Sequence, residues 1–152
     1  MTGDVTINNA DAYTRYGINF EDGALSALMT PAPNKQFIES KSRVAHGKSV
    51  ITKNPKVDVR ELVLPFHIVA KTKEEFFEKY DLFCEEVLEP GAFTLKSKYQ
   101  PARSKIVNGV LQTRPQVVYH LIYKSCQQFK QYQREMAVFH LKVEEPNPKN
   151  RT

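Results

Sequence analysis

Apolar and polar residues alternate along most of this chain. From Leu62 to Ile68 every second residue is a large apolar one, which is the period of a β-strand with one buried face. The stretch "EMAVFHLKVEE" alternates in the same way, and "AFTLKSKYQ" and "QVVYHLIYKS" also favour strands. In "KIVNGVLQ", Asn108 and Gly109 stand between apolar pairs, which is typical of a tight β-hairpin. The pattern therefore predicts a β-rich chain.

One segment departs from this alternation and predicts an amphipathic helix over about residues 72–89. Thr72 followed by Glu75 has the spacing of a capping box, and Pro90-Gly91 ends the helix. Its large apolar residues recur at spacings of three and four, so they share one face. We expect this face to form a helix–sheet core made of Phe76, Tyr80, Phe83 and Val87.

The order of these elements predicts a single domain over residues 1–145. Strands come before and after the one helix, which indicates an α+β fold: a mainly antiparallel β-sandwich or barrel with a flanking helix. The opening 30 residues favour short strands joined by turns. Residues 31–58 hold three prolines and many polar side chains, which predicts a long loop of a kind that is usually functional or mobile. Residues 146–152 predict an extended C-terminal arm, either for docking or simply disordered.

Composition restricts the setting in which this domain works. A chain of 152 residues can bury a core without help from metals or disulfides. Its two cysteines, Cys84 and Cys126, do not make a disulfide framework and suit a reducing compartment. No apolar run resembles a signal peptide or a membrane span, so we expect a soluble protein made inside the cell and no membrane partner.

Signals for catalysis are missing from the sequence. The histidines have no close metal-ligand spacing among themselves or with the cysteines; they are His46, His67, His120 and His140. There is no glycine-rich phosphate loop and no nucleophile elbow. Cys84 lies on the apolar face of the predicted helix, where an inert buried thiol is expected. We therefore expect no enzyme activity, no cofactor and no metal.

The distribution of charge is more informative than the formal net charge of +5. Residues 73–89 hold seven acids and two lysines, whereas residues 31–56 hold six bases and one acid. Residues 96–114 add five bases and no acid. One interpretation is a set of separate solvated surfaces. The other is head-to-tail self-assembly, in which the acidic helix of one subunit meets a basic loop of the next.

The second interpretation predicts a specific subunit interface. Its residues are Glu74, Glu78, Asp81 and Glu85 on the helix and Lys41, Arg43, Lys48, Lys53 and Lys56 in the loop. A small basic nucleic-acid-binding domain is the alternative, because single-strand binders interleave bases with stacking aromatics. The aromatics of residues 119–132 mostly follow strand periodicity, which favours packing instead.

Four stretches of the chain resemble a family of phage structural proteins. They are "NNADAYTRYGI", "VDVRELVLPFHIVAKTKEEFFEKYDLFCEEVLEPGAFTL", "VYHLIYKSC" and "FHLKVEEPNPKNR". Together they resemble the N-terminal, ring-forming domain of tailed-phage distal tail proteins and, more broadly, the tail-tube fold. The resemblance implies a β-sandwich with one flanking helix that assembles into a hexameric ring. Such a ring caps the tail tube and serves as a hub for the adhesion apparatus.

The resemblance also implies a function, partners and a location. The function is that of a non-enzymatic structural component of a phage or prophage tail, as a distal cap or a tube subunit. The partners are further copies of the chain, the tail tube, and baseplate or adhesion components, with no specific nucleic acid. The location is the virion tail, after synthesis in the bacterial cytoplasm.

Two features depart from the family pattern. Many distal tail proteins carry a second, C-terminal domain, whereas this chain ends at "EPNPKNRT", so we expect the ring function without direct receptor binding. The lumen of such assemblies tends to be acidic, whereas this chain is net basic. The basic loops are therefore expected at subunit joints or on the outer rim.

Overall fold

A computed structural model describes residues 3–35, 38–41, 48–51 and 56–152. Its strands are β1 (Val5–Ile7), β2 (Ala10–Asp11), β3 (Ile18–Phe20), β4 (Ile38–Lys41), β5 (Lys48–Ile51), β6 (Arg60–Val69), β7 (Ala92–Ser97), β8 (Arg103–Val107), β9 (Val110–Arg114), β10 (Val118–Gln133) and β11 (Met136–Glu145). Its helices are α1 (Ala12–Tyr16), α2 (Ala24–Met29) and α3 (Lys73–Phe83). A π-helical turn, Cys84–Leu88, continues α3.

Seven strands form one antiparallel sheet in the order β2-β1-β7-β10-β11-β6-β3. Every second residue of β6 from Arg60 to Ile68 is buried, and β11 alternates in the same way from Ala137 to Glu145. One face of the sheet therefore forms the core, as the period-two pattern predicts. The predicted α+β class with a mainly antiparallel sheet is confirmed.

The two edges of the sheet are drawn together by α1. This five-residue helix joins the edge strands β2 and β3; Asp11 caps its start and Gly17 ends it in the left-handed conformation. The amide of Asn19 in β3 reaches the carboxylate of Asp4, just before β1, at 3.4 Å. The sheet is therefore curled towards a barrel, and α1 bridges the gap between its edges.

The core lies between the curled sheet and the helices. Phe76 and Phe83 of α3 join the same buried cluster as Phe66 and Phe139 of the sheet. Leu28 of α2 belongs to this cluster as well. Because α2 packs near the start of β6 and α3 near its end, the two helices cover opposite ends of the sheet.

Two short helices occur where the sequence predicted only strands and turns. Both α1 and α2 are too short to be stable alone, so their stability comes from tertiary contacts. The clearest example is α2, whose last carbonyl groups accept hydrogen bonds from Nη1 of Arg60, at 2.8 Å for Leu28 and 2.6 Å for Thr30. A residue thirty positions away thus completes the end of this helix.

The segment predicted as a long loop, 31–58, contains a β-hairpin. Strands β4 and β5 pair over four positions. At the base of the hairpin, the amide of Lys35 donates to the carbonyl of Lys56 at 2.8 Å. The amide of Asp58 donates to the carbonyl of Pro33 at 2.7 Å. The prediction of a continuous loop is therefore wrong at the positions of β4 and β5. Their ladder satisfies backbone groups of a polar segment that carries no period-two apolar signal.

The C-terminal residues fold back onto the sheet, so the predicted extended arm is also wrong. Pro148 is buried, and the amide of Val118 donates to the carbonyl of Arg151 at 2.9 Å. The guanidinium of Arg151 donates two hydrogen bonds of 3.0 Å to the carboxylate of Glu145. Because Glu145 is fully buried, this contact supplies a partner that its charge requires.

Candidate subunit interface

Local hydrogen bonds determine where α3 begins. The hydroxyl oxygen of Thr72 accepts from the amide of Glu75 at 3.1 Å, as a capping residue does. The carboxylate of Glu75 reaches back to the amide of Lys71 at 3.2 Å and pairs with Lys79 at 3.1 Å. Both partners lower the pKa of Glu75, Lys79 most strongly. The predicted helix start is therefore present, although Glu75 reaches one residue further back than in a standard capping box.

The inner face of α3 carries the four residues predicted as the helix–sheet core. Phe76, Phe83 and Val87 are buried in the main cluster. Tyr80 is half-buried at its edge, stacked on Phe76 at 6.3 Å and edge-on to Phe129 at 5.6 Å. Burial first, and the neighbouring Cys84 second, raise the pKa of Tyr80 to about 12. Tyr80 therefore lies between the core and the surface.

The π-helical turn joins the end of α3 to α1. Glu86, within this turn, accepts hydrogen bonds from Nε of Arg15 and from the hydroxyl of Tyr16, both at 2.7 Å. Arg15 is the main cause of the lowered pKa of Glu86. Val87 in the same turn is buried while Glu86 contacts α1, so these contacts attach the end of the acidic helix to α1.

The outer face of α3 carries the predicted acidic half of the interface. Its residues are all exposed, and none of them forms an ion pair with the described part of the chain: Glu74, Glu78, Asp81 and Glu85. Their spacings of four, three and four residues place them along one side of the helix. The acidic surface therefore faces outward from the subunit.

The predicted basic half of the interface is only partly described. Lys56 is exposed at the base of the β4–β5 hairpin. Lys41 and Lys48 are directly opposite each other in its ladder. Arg43 and Lys53 lie outside the described residues. Among the residues whose side chains the structure describes, Lys56 forms no ion pair with α3.

Beside the acidic surface lies an apolar groove that the sequence did not predict. It has a volume of about 390 Å³ and runs between α3 with its π-helical turn and β10. Its walls include Tyr80, Cys84, Leu88, Tyr123, Cys126 and Phe129. β10 pairs with β7 only as far as Ile122, so within the described strands its far half has one open edge. We call this feature the α3–β10 groove.

Carboxylates lie on the α3 side of the α3–β10 groove. Glu89 belongs to its lining, and the charges of Asp81, Glu89 and Glu85 act on the thiol of Cys84 inside it. Burial is the main cause of the raised pKa of Cys84, and the three carboxylates add to it because they disfavour a nearby thiolate. The groove therefore has an apolar interior and an acidic rim on its α3 side.

This rim predicts a measurable effect on the reactivity of Cys84. In a Cys126→Ser chain, the pH midpoint for alkylation of Cys84 by iodoacetamide should be higher in the folded protein than in urea. Replacing Asp81 and Glu85 by their amides should lower the folded midpoint, because the repulsion of the thiolate is removed. Equal midpoints in the folded chain with and without the amides would show that the carboxylates of Asp81 and Glu85 do not act on Cys84.

A second hairpin projects from the sheet as a two-stranded unit of its own. The predicted Asn-Gly turn between β8 and β9 is present, with positive φ angles of 52° at Asn108 and 79° at Gly109. Both angles suit a type I′ turn. Except for Val107, which is half-buried, every residue of the two strands is exposed. We call this feature the β8–β9 hairpin.

Among the described residues, no three or more His, Cys, Asp or Glu side chains are placed to hold a metal ion. No helix in the described part of the chain combines the length and apolarity needed to cross a membrane.

Comparisons with known proteins identify a fold. No protein-family model matches the chain, and no curated protein matches it either. Among solved structures, it is similar to the Dit protein of phage SPP1, described as a paradigm of the hub adsorption apparatus in phages that infect Gram-positive bacteria. The match has a TM-score of 0.60 at 8% identity and covers 95% of this chain and 50% of the SPP1 chain. This chain thus spans half the length of that protein, and the predicted resemblance to distal tail proteins is confirmed at the level of fold.

Proposed function

We propose that the chain is a non-enzymatic structural subunit of a phage or prophage tail. Six copies form a ring at the distal end of the tail tube, and this ring acts as an assembly hub. The observation that carries this proposal is the fold shared between nearly the whole chain and half of a phage hub protein. Its partners are further copies of itself, the tail tube, and baseplate or adhesion components in the virion tail.

The charge distribution supports self-assembly through unlike surfaces. The outer face of α3 is acidic and exposed, whereas the two hairpins carry bases. Contact between different patches on identical subunits is heterologous, and it closes into a ring when the rotation between subunits permits. In this arrangement the acids of α3 meet bases of the neighbouring subunit, including those of residues 35–56.

Solution mass is the direct test of the ring. Light scattering coupled to size exclusion should show a species of about six subunits at low salt, with dissociation towards smaller species at high salt, because exposed charge pairs are screened. The measurement is repeated over a range of protein concentrations. A mass of one subunit under every condition contradicts self-assembly by the isolated chain.

A charge reversal identifies the surface responsible. The triple substitution Glu78→Lys, Asp81→Lys and Glu85→Lys should shift the mass towards the monomer and leave the circular dichroism spectrum unchanged, since all three residues are exposed. The matched control reverses Asp22 and Glu61, two exposed carboxylates outside α3. Normal assembly of the triple variant, or equal loss in the control, would exclude a joint at α3.

A further inference from the structure

We propose that the β8–β9 hairpin of one subunit inserts into the α3–β10 groove of the next. This inference rests on the self-assembly proposed above and names the two surfaces that meet. It differs from a joint formed by residues 35–56 alone, because it assigns a partner to the groove as well as to the acids. Polarity, charge and the separation of the two surfaces along β10 each support it.

The tip of the β8–β9 hairpin is apolar and exposed to solvent. Ile106 is 74% exposed, Leu111 65% and Val110 62%. Ile106 and Leu111 are paired on one face, and Val107 and Val110 on the other. Exposed apolar side chains are ordinary when scattered singly, whereas a group of them at the end of a projecting element marks a contact surface. The tip therefore calls for an apolar partner.

The stem of the same hairpin is basic. Arg103 and Arg114 are directly opposite each other, and Lys105 follows on the same face. Like charges at opposed positions destabilise a hairpin. None of the three forms an ion pair within the described ranges of the chain. An acidic partner would offset this repulsion, so the stem favours contact with carboxylates.

The α3–β10 groove has the complementary arrangement. Its interior is apolar, with Leu88, Tyr123 and Phe129 among its walls. Its rim carries the carboxylates of Glu89 and, close to Cys84, of Asp81 and Glu85. An apolar centre with a polar, solvent-accessible rim is the usual organisation of a protein interface. An apolar tip on a basic stem fits this order of features.

The two surfaces are separated along the same strand within one subunit. The β8–β9 hairpin leads into the start of β10 at Val118, whereas the groove residues of β10 run from Tyr123 to Phe129. At about 3.3 Å per residue, these groove residues lie roughly 17–36 Å along the strand from Val118. The base of the β8–β9 hairpin thus lies far from the groove of its own subunit, and the hairpin of a neighbouring copy is the expected occupant.

Thiol cross-linking tests this arrangement, because Cys126 lines the groove and is exposed. In a Cys84→Ser background, Val110→Cys places a thiol at the hairpin tip. A short bis-maleimide, which alkylates both thiols, should then link subunits into dimers and larger products on a denaturing gel. The same chain with Cys126→Ser should give no such products, which excludes links between two hairpin tips.

A probe in the other basic hairpin separates this inference from the proposed function. Cys84→Ser with Lys48→Cys should link poorly to Cys126. If it links efficiently while Val110→Cys does not, residues 35–56 occupy the groove and the inference is overturned, although the ring stands. An oligomer in which neither probe links to Cys126 likewise overturns the inference and leaves the ring intact. A monomer under every condition overturns the ring and this inference together.

A charge exchange provides a second, independent readout. Arg103→Glu with Arg114→Glu should raise the dissociation constant of self-assembly about tenfold or more. Adding Asp81→Lys and Glu85→Lys to the same chain should recover most of this loss. A labelled single-stranded oligonucleotide is measured in parallel by anisotropy. Loss of oligonucleotide binding in the arginine variant, with unchanged self-assembly, would make the hairpin a nucleic-acid element and overturn the inference.

Discussion

Replacing Glu145 by alanine is expected to lower the free energy of unfolding by about 3–5 kcal/mol, because the substitution leaves a buried guanidinium without its counter-ion. The side chains of Glu145 and Arg60 are 0% and 3% exposed. Nε of Arg60 lies 2.9 Å from Oε1, an ion pair whose N–H is poorly aligned for a hydrogen bond. Arg151 donates to the same carboxylate from the folded-back C-terminal segment. Urea unfolding followed by circular dichroism measures the loss.

The neighbouring residue offers a matched control for this prediction. Glu144 forms an ion pair with Lys124 at 2.9 Å, but the lysine side chain is 46% exposed. Its replacement by alanine should cost less than about 1 kcal/mol, because water solvates either partner when the other is removed. Equal losses for the Glu144 and Glu145 variants would show that the buried cluster does not hold α2 and the C-terminal segment against the sheet.

Replacing Gly17 by alanine is expected to lower the free energy of unfolding by about 2–4 kcal/mol, from left-handed strain and overpacking together. Gly17 has a φ angle of 69°, and an added Cβ would lie 2.6 Å from the carbonyl oxygen of Val69. That contact is with backbone, which cannot rotate away. The amide of Val69 also donates a hydrogen bond of 3.0 Å to the carbonyl of Gly17. The added methyl group would therefore displace the link between α1 and β6. Urea denaturation gives the difference.

Gly109 separates the two contributions. It has a φ angle of 79°, but an added Cβ would have no atom within 4 Å. Gly109→Ala therefore carries the left-handed strain alone, about 1–2 kcal/mol. If both alanine variants lose the same stability, the close approach of α1 to β6 contributes nothing, and the barrel closure tolerates a side chain there.

The strands and the main helix could be predicted because their signals are local. Alternation in β6 and β11, the Asn-Gly turn and the start of α3 at Thr72 each depend on a few neighbouring residues. Pro65 is a similar case, since a proline predicts an open strand edge or a bulge. The carbonyl of Pro65 accepts a hydrogen bond from the amide of Glu21, just beyond the end of β3. The backbone nitrogen and carbonyl of a strand residue point to the same side, so the nitrogen of Pro65 also faces the edge at which β3 ends.

The acidic half of the candidate interface was also visible in the sequence, whereas the groove beside it was not. Helical periodicity alone places Glu78, Asp81 and Glu85 on an outer face. The groove depends on how β10 continues past its pairing with β7 and passes α3. The apolar hairpin tip shows the same limit, because period-two apolar residues are equally typical of a buried strand.

By itself, the sequence determined the strand periods, the one long amphipathic helix, the turn chemistry and the separation of acidic and basic segments. Only the tertiary structure decided that α1 closes the curled sheet, that Arg60 completes α2, and that the C-terminal residues return to Glu145. The reason is physical. Periodicity and turn preference act over a few residues, whereas short helices and buried charges are stable only when distant partners supply their hydrogen bonds.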